Sequence, residues 1–342
     1  MKIKTGVIGF GKMGLLHGAI LSTIKDVELI TIVDKSRMVL KAFQSLLPQI
    51  KYYTSYQKML LAENELDAVV IATPIFNHVE IIRDAIEKDI HVFVEKPLGK
   101  TYEDTLRLRD LLESNPNVIG QVGFAHRYIP TFSKCKNLLL ENVLGDVKKV
   151  KGEMYISDVF KPLSGWRYDP KLSGGGVLID FTIHLIDLLH WFFGDVTNVS
   201  MRAKKLYSKE VEDDIAAEIT FEKGFVAEVM SSWSSPRHRK SYTKVEIQGE
   251  KGSVVVTDQT IDIAVGDSQN GYTDPDLYSG YFVDIAGAHF SLQMETFINS
   301  IINKKQPDAD IRNAIYVQKI VDVMYRSANI QRPLAVQGKE EF

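Results

Sequence analysis

"VIGFGKMG", Val7 to Gly14, decides the fold. Gly9, Gly11 and Gly14 form G-x-G-x-x-G directly after an apolar strand-like run, "KIKTGVIGF", and at the head of a helical pattern, "GLLHGAILSTI". In that setting each glycine has a mechanical use. Gly9 permits the tight turn, Gly11 leaves room for a pyrophosphate against the backbone, and Gly14 lets the helix pack on the strand while its first N–H groups face the anion. Phe10, Lys12 and Met13 complete this cofactor-binding loop. A glycine-rich turn without a ligand is the plain alternative, and Asp34 weighs against it. It ends the second apolar run, "ELITIVD", about 20 positions beyond Gly14, where a carboxylate grips both ribose hydroxyls of NAD. An acid there repels a 2′-phosphate, so NAD is expected; NADP is the alternative if Arg37 pairs with that phosphate.

Outward from this loop, strand and helix patterns take turns to about Val122: "SRMVLKAFQSLL", "DAVVIATP", "HVEIIRDAIEK", "IHVFVEKP", "YEDTLRLRDLLES" and "VIGQVGF". Such alternation predicts a parallel sheet with helices on both faces, and residues 1–122 as a dinucleotide-binding domain. After Gly123 the texture changes. A helix around Pro130 to Glu141 and an oily helix precede Val/Ile/Thr-rich runs, "VTNVSMRAKKLY", "DIAAEITFEKGFVAEVMSSW", "YTKVEIQGEKGSVVVTD" and "TIDIAVGD". Glycines at Lys223-Gly224 and Glu250-Lys251-Gly252 supply the positive φ that hairpins need, so residues 123–342 are expected to form an α+β domain with a mainly antiparallel sheet. Gly266 to Gly287 reads as a long loop, and two helical patterns close the chain. No flexible linker separates the halves, which predicts a packed hinge and a ligand cleft.

Two strand ends carry candidate chemistry. "IHVFVEKPLG" sets Glu95, Lys96 and Pro97 at the carboxyl end of a strand, the edge at which open α/β sheets bind ligands. The proline ends the ladder and makes Lys96 stop at a defined place. "ATPIFNH" plays the same part after the preceding strand, so Thr73, Pro74, Asn77 and His78 join Glu95 and Lys96 as cofactor-binding candidates. His78, His91 and His238 also have structural readings, and no cluster has metal-ligand spacing.

"GGGVLIDFTIHLIDLLHWFFGD", Gly174 to Asp195, is nearly oily enough to span a membrane, but Asp180, His184, Asp187 and His190 interrupt it, and the spanning reading is rejected. On an α-helix Asp180, His184 and Asp187 make one polar stripe, which must pair internally or face a polar ligand. Gly174 to Gly176 would allow a cofactor to approach closely. Asp187 and His190 lie farther from the glycines and are expected to be buried hydrogen-bonders or helix-end groups.

The 342 residues suit two domains, and a formal net charge of −3 offers no basic excess for nucleic acid. A single cysteine, Cys135, and an N-terminus that begins a strand without a signal-peptide h-region make the cytoplasm the default.

"GFGKMGLLH", "ATPIFNH", "VEKPLG" and "GGGVLIDFTIHLIDLL", with "GFAHRYIPTFSKCKNLL" and "GWRYDP", together resemble the family of glucose–fructose oxidoreductase and inositol dehydrogenase. That resemblance implies an N-terminal Rossmann domain and a C-terminal α/β domain with a large open antiparallel sheet whose outer face makes homodimer or homotetramer contacts. It also implies NAD(P)-dependent oxidation or reduction of a sugar or cyclitol carbon. By the same resemblance Lys96, Asp180 and His184 are the catalytic set. His184 has the chemistry of a general base, Lys96 would stabilise charge on the reacting oxygen, and Asp180 would orient substrate. Trp166, Arg167, His126 and Arg127 are candidates to face that substrate, with Tyr272, Tyr278 and Tyr281 as aromatic faces for a sugar ring. A cofactor-retaining sugar-converting enzyme with no net redox, or a non-catalytic dinucleotide- or sugar-sensing regulator, are the other functions this scaffold admits.

Overall fold

A computed structural model describes residues 2–273 and 287–336. The chain forms two compact units, one from the described residues of Met1–Phe124 and Phe282–Ile315, the other from those of Ala125–Tyr281 and Tyr316–Phe342.

The first unit is built on six strands: β1 (Ile3–Ile8), β2 (Val27–Val33), β3 (Lys51–Tyr53), β4 (Ala68–Ile71), β5 (His91–Val94) and β6 (Gly120–Val122). All pair in parallel, in the order β3-β2-β1-β4-β5-β6. A strand covered on both faces favours apolar side chains on both, and β4, Ala-Val-Val-Ile, is buried at every position. The order reverses between β1 and β4, which makes their carboxyl ends the ligand-binding edge.

The expected cut between residues 122 and 123 is too simple, because the chain comes back. Met294, Phe297, Ile298 and Ile301 of the helix Ala288–Asn303 join Val7, Val70 and Phe93 in the first unit's core. The edge strand β6 needs partners, and later residues supply them: Val122 N–H donates to the Ala309 carbonyl at 2.8 Å, and the Gln121 amide to Gln293 O at 3.0 Å.

The second unit holds a nine-stranded sheet. Its strands are β7 (Val147–Tyr155), β8 (Val196–Lys204), β9 (Asp214–Phe221), β10 (Val226–Ser232), β11 (Tyr242–Gly249), β12 (Gly252–Thr257), β13 (Thr260–Val265), β14 (Ser268–Thr273) and β15 (Leu334–Ala335), in the order β14-β13-β12-β11-β7-β10-β9-β8-β15. Only the β7–β10 pair is parallel. Period-2 burial along β9 and β11 marks one apolar face, while the other carries ion pairs such as Lys149–Glu228 and Lys151–Glu153. Central β7 escapes sequence reading because "VKKVKGEMY" puts lysines and Glu153 on its outer face. The loop expected from Gly266 begins instead with β14, on which Tyr272 sits; Tyr278 and Tyr281 lie outside the described residues.

Gly224 turns the β9–β10 hairpin at φ +86°, as expected. Gly252 does not use a positive φ; it is glycine because a Cβ would lie 2.2 Å from the Ala264 carbonyl oxygen across the sheet. The run Pro170–Phe193 is long and apolar enough to cross a membrane, but 72% of its most apolar window is buried inside the protein.

Candidate active site

The phosphate loop has the form its glycines require. Gly9 adopts φ +87°, and a Cβ on Gly14 would lie 1.8 Å from the Gly9 carbonyl oxygen, so only glycine lets the helix Lys12–Leu21 start against the loop. A Cβ on Gly11 would meet nothing within 4 Å. That open space beside a helix N-terminus whose first turn has no side-chain cap is what a pyrophosphate needs. Asp34 is fixed by two backbone donors, Phe10 N–H on Oδ2 at 2.8 Å and Ser36 N–H on Oδ1 at 2.7 Å. Each oxygen keeps a lone pair for a ribose hydroxyl. Arg37 is exposed at the start of the helix Arg37–Leu46. Phe10 contributes its backbone only, since its ring is buried edge-on against Phe43 at 4.9 Å.

At the next two strand ends one buried histidine does most of the positioning. His78 Nδ1 lies 2.9 Å from the Pro97 carbonyl oxygen and Nε2 lies 2.8 Å from that of Thr73. With both nitrogens facing protein carbonyls and 1% exposure, His78 is not a cofactor contact, which corrects the sequence reading. Donating to one carbonyl and packing against the other, the ring sits between the turn carrying Thr73, Pro74 and Asn77 and the turn carrying Lys96 and Pro97. Burial pushes its pKa below the ordinary 6.5. Glu95 is similarly internal: its Oε1 lies 2.6 Å from Nε2 of the fully buried His17. Lys96 is half-buried just past β5.

In the second unit the polar groups of the oily helix meet partners from other elements. The helix begins with a π turn, Leu178–Thr182, and continues as α-helix Ile183–Phe193. Asp180 Oδ2 accepts from Arg167 Nε at 3.1 Å and Nη2 at 2.5 Å, and Nη2 lies 3.5 Å from Asp158. The Arg167 guanidinium also lies 5.8 Å from the ring centroids of Tyr168 and Trp233. Burial works against its charge, yet the Asp180 carboxylate holds the Arg167 pKa above its ordinary value. His184 packs at 4.5 Å, tilted by 34°, on His126 of the turn Ala125–Tyr128. Asp187, with no exposed side chain, binds Arg127 through both oxygens, Oδ2 to Nε at 2.8 Å and Oδ1 to Nη2 at 2.6 Å. Burial pushes Asp187 up, and the guanidinium opposes that push.

Arg127, expected at the substrate, is therefore a core group that neutralises Asp187; a buried carboxylate needs such a partner. Asp187 and His190 are the buried structural groups anticipated, His190 lying 3.0 Å from the helix-end carbonyl of Gly194. Trp166 is exposed in the short turn Trp166–Tyr168.

The glycines before the helix have a different use from the one expected. A Cβ on Gly175 would lie 2.0 Å from the Tyr325 hydroxyl and one on Gly176 2.1 Å from the Glu212 carbonyl oxygen, so they admit the protein's own atoms. Buried Glu212, which sequence reading passed over, accepts from Gly176 N–H, Leu178 N–H and the Tyr325 hydroxyl at 2.8 to 3.0 Å. It caps the start of the helical run that carries Asp180 and His184. Its only trace in sequence is the acidic run "VEDD", which gives no clue to which acid turns inward. Among the described residues no His/Cys/Asp/Glu group is arranged to hold a metal.

Residues 3–124 match the family described as "Oxidoreductase family, NAD-binding Rossmann fold", and residues 136–336 match "Oxidoreductase family, C-terminal alpha/beta domain". The chain is 24% identical to the uncharacterized oxidoreductase YrbE of Bacillus subtilis (strain 168), with 100% of this chain and 98% of the relative covered. It is 24% identical to inositol 2-dehydrogenase of Rhizobium meliloti (strain 1021), covering 98% of this chain and all of that enzyme. A solved levoglucosan dehydrogenase in complex with NADH shares the fold at a TM-score of 0.88, with 21% identity over 98% of this chain and 99% of that one.

Proposed function

The chain belongs to the oxidoreductase family of glucose–fructose oxidoreductase and the inositol dehydrogenases, as an NAD(P)-dependent enzyme with an NAD-binding Rossmann domain. From that premise we propose that it transfers hydride between NAD and a carbinol carbon of an uncharged sugar or cyclitol. The observation that carries the cofactor side is the open cradle at Gly11 beside the fixed Asp34 carboxylate. Gly9, Gly11 and Gly14 with the backbone of Phe10, Lys12 and Met13 would hold the pyrophosphate, and Asp34 the ribose hydroxyls of NAD rather than the phosphate of NADP. When bound, the nicotinamide supplies the hydride chemistry.

The chain's own residues handle the proton and the orientation. His184 takes the proton from the reacting hydroxyl, because a neutral imidazole can accept it near neutral pH. Lys96 donates a hydrogen bond to that oxygen and stabilises the charge growing on it. Asp180, held by Arg167, accepts from a neighbouring substrate hydroxyl. The uncharged substrate is supported by the company Arg167 keeps: Asp180 and Asp158 share that guanidinium, and two carboxylates at one place favour hydroxyl donors over a phosphate or carboxylate substituent. A sugar's hydroxyls are donors that such carboxylates bind well. The proposal extends to a cytoplasmic homo-oligomer, supported by the broad outer face of the nine-stranded sheet.

The test is a screen of the purified chain with NAD or NADP against myo-inositol, levoglucosan and D-glucose, with glucose 6-phosphate and glucuronate as charged counterparts, following absorbance of the reduced nicotinamide. A neutral substrate should be oxidised with a kcat/KM at least about tenfold above its charged counterpart, equivalent to about 1.4 kcal/mol, and with NAD preferred. Preference for the charged compounds would overturn the substrate class. NAD binding without turnover on any compound would overturn the dehydrogenase.

A further inference from the structure

We infer that His126 is a positioning residue for His184, holding the imidazole ring in the plane from which it takes the substrate's proton; this rests on the assignment of His184 as general base. The two rings meet at 4.5 Å with 34° between their planes. His126 is itself anchored on a second side, where its Nε2 lies 3.2 Å from the hydroxyl oxygen of Thr243 on β11. Thr243 is buried, and its strand is locked between β7 and β12. On a third side His126 lies 6.1 Å from Phe132, fully buried in the helix Pro130–Leu140. His126 thus connects the rigid sheet to the imidazole of the oily helix.

The need for such a support is physical. The outer torsion of a histidine side chain is broad, so backbone placement on a helix fixes where the ring is attached but not where its nitrogens point. A general base works only when its nitrogen is within hydrogen-bond reach of the proton it takes, and a small misplacement costs on the order of 100-fold in rate. A flat neighbour packed against the imidazole ring restricts that rotation.

The two roles open to His126, support of the base and contact with substrate, separate in the kinetics. His126→Leu removes both the flat face and the Thr243 anchor, His126→Phe keeps the face alone, and Thr243→Val removes the anchor alone. With NAD and whichever of myo-inositol, levoglucosan or D-glucose is turned over best, His126→Leu should lower kcat by about 10- to 100-fold while KM for the substrate moves less than about threefold. His126→Phe should recover kcat to within about fivefold of the native enzyme, with Thr243→Val between the two. A raised KM at unchanged kcat would make His126 a substrate contact and overturn the inference. Equal kcat losses in the Phe and Leu variants would do the same, because the flat ring would then not be the means of support. His184→Ala separates the underlying assignment: if it retains native turnover the base itself is wrong, whereas an inactive His184→Ala beside a fully active His126→Leu contradicts the support alone. Circular dichroism of each variant identifies any that fails to fold, and His126→Phe and Thr243→Val still decide the matter if His126→Leu does.

Discussion

At the scale of single residues, Arg127 illustrates how the same side chain can be legible in kind and misread in role. Its charge, in a motif after the first unit's last strand, points to substrate; its partner, Asp187, is 60 positions away in sequence and invisible until the chain folds. The physical reason for the pair is that a fully buried carboxylate cannot stand alone. Arg127→Leu should therefore destabilise the fold by about 3–5 kcal/mol in chemical denaturation, because it leaves Asp187 uncompensated. Replacing both partners with leucine should recover much of that loss. A single variant as stable as the native chain would show that the pair is dispensable. The role of His78 is hidden for a related reason: sequence shows that it closes "ATPIFNH", not that both nitrogens point to backbone.

Among elements, legibility followed periodicity. The strands and helices of the first unit were readable because buried parallel strands are continuously apolar and their ends are punctuated by glycine and proline. β7 is not, because its alternate positions carry charge on the sheet's outer face, and apolar spacing does not reveal the π turn with which the oily helix opens. The turns after β4 and β5 are an element-scale device, since His78 joins them. Its pKa is depressed in the fold, as is that of His190 at the end of the oily helix, so both are neutral there above pH 6.5. Below 6.5 the unfolded chain binds protons that the folded chain refuses, and stability falls with pH until the folded pKa values are passed. Each such histidine adds up to about 1.4 kcal/mol per pH unit to that fall. His78→Asn should reduce the acid sensitivity of the denaturation midpoint between pH 6.5 and 5, and raise KM for NAD by loosening both turns. An unchanged pH slope would show that His78 does not titrate in this way.

For the whole molecule, the phosphate loop and Asp34 needed only local sequence, because their geometry is set by glycines and one acid within a single β-strand–helix–β-strand run. The membership of Ala288–Asn303 in the first unit was not readable, since it depends on which late segment covers edge strand β6. The assignment of Lys96 to the reacting oxygen is the claim on which the proposed chemistry stands. Lys96→Met tests it most directly, with turnover on the best neutral substrate and the dissociation constant for NAD measured on the same preparation. Turnover should fall by about 100-fold or more while NAD affinity changes less than about threefold, since the lysine is assigned to the reacting oxygen and not to holding the cofactor. Native turnover in this variant, or a loss of turnover explained by lost NAD binding, would contradict it.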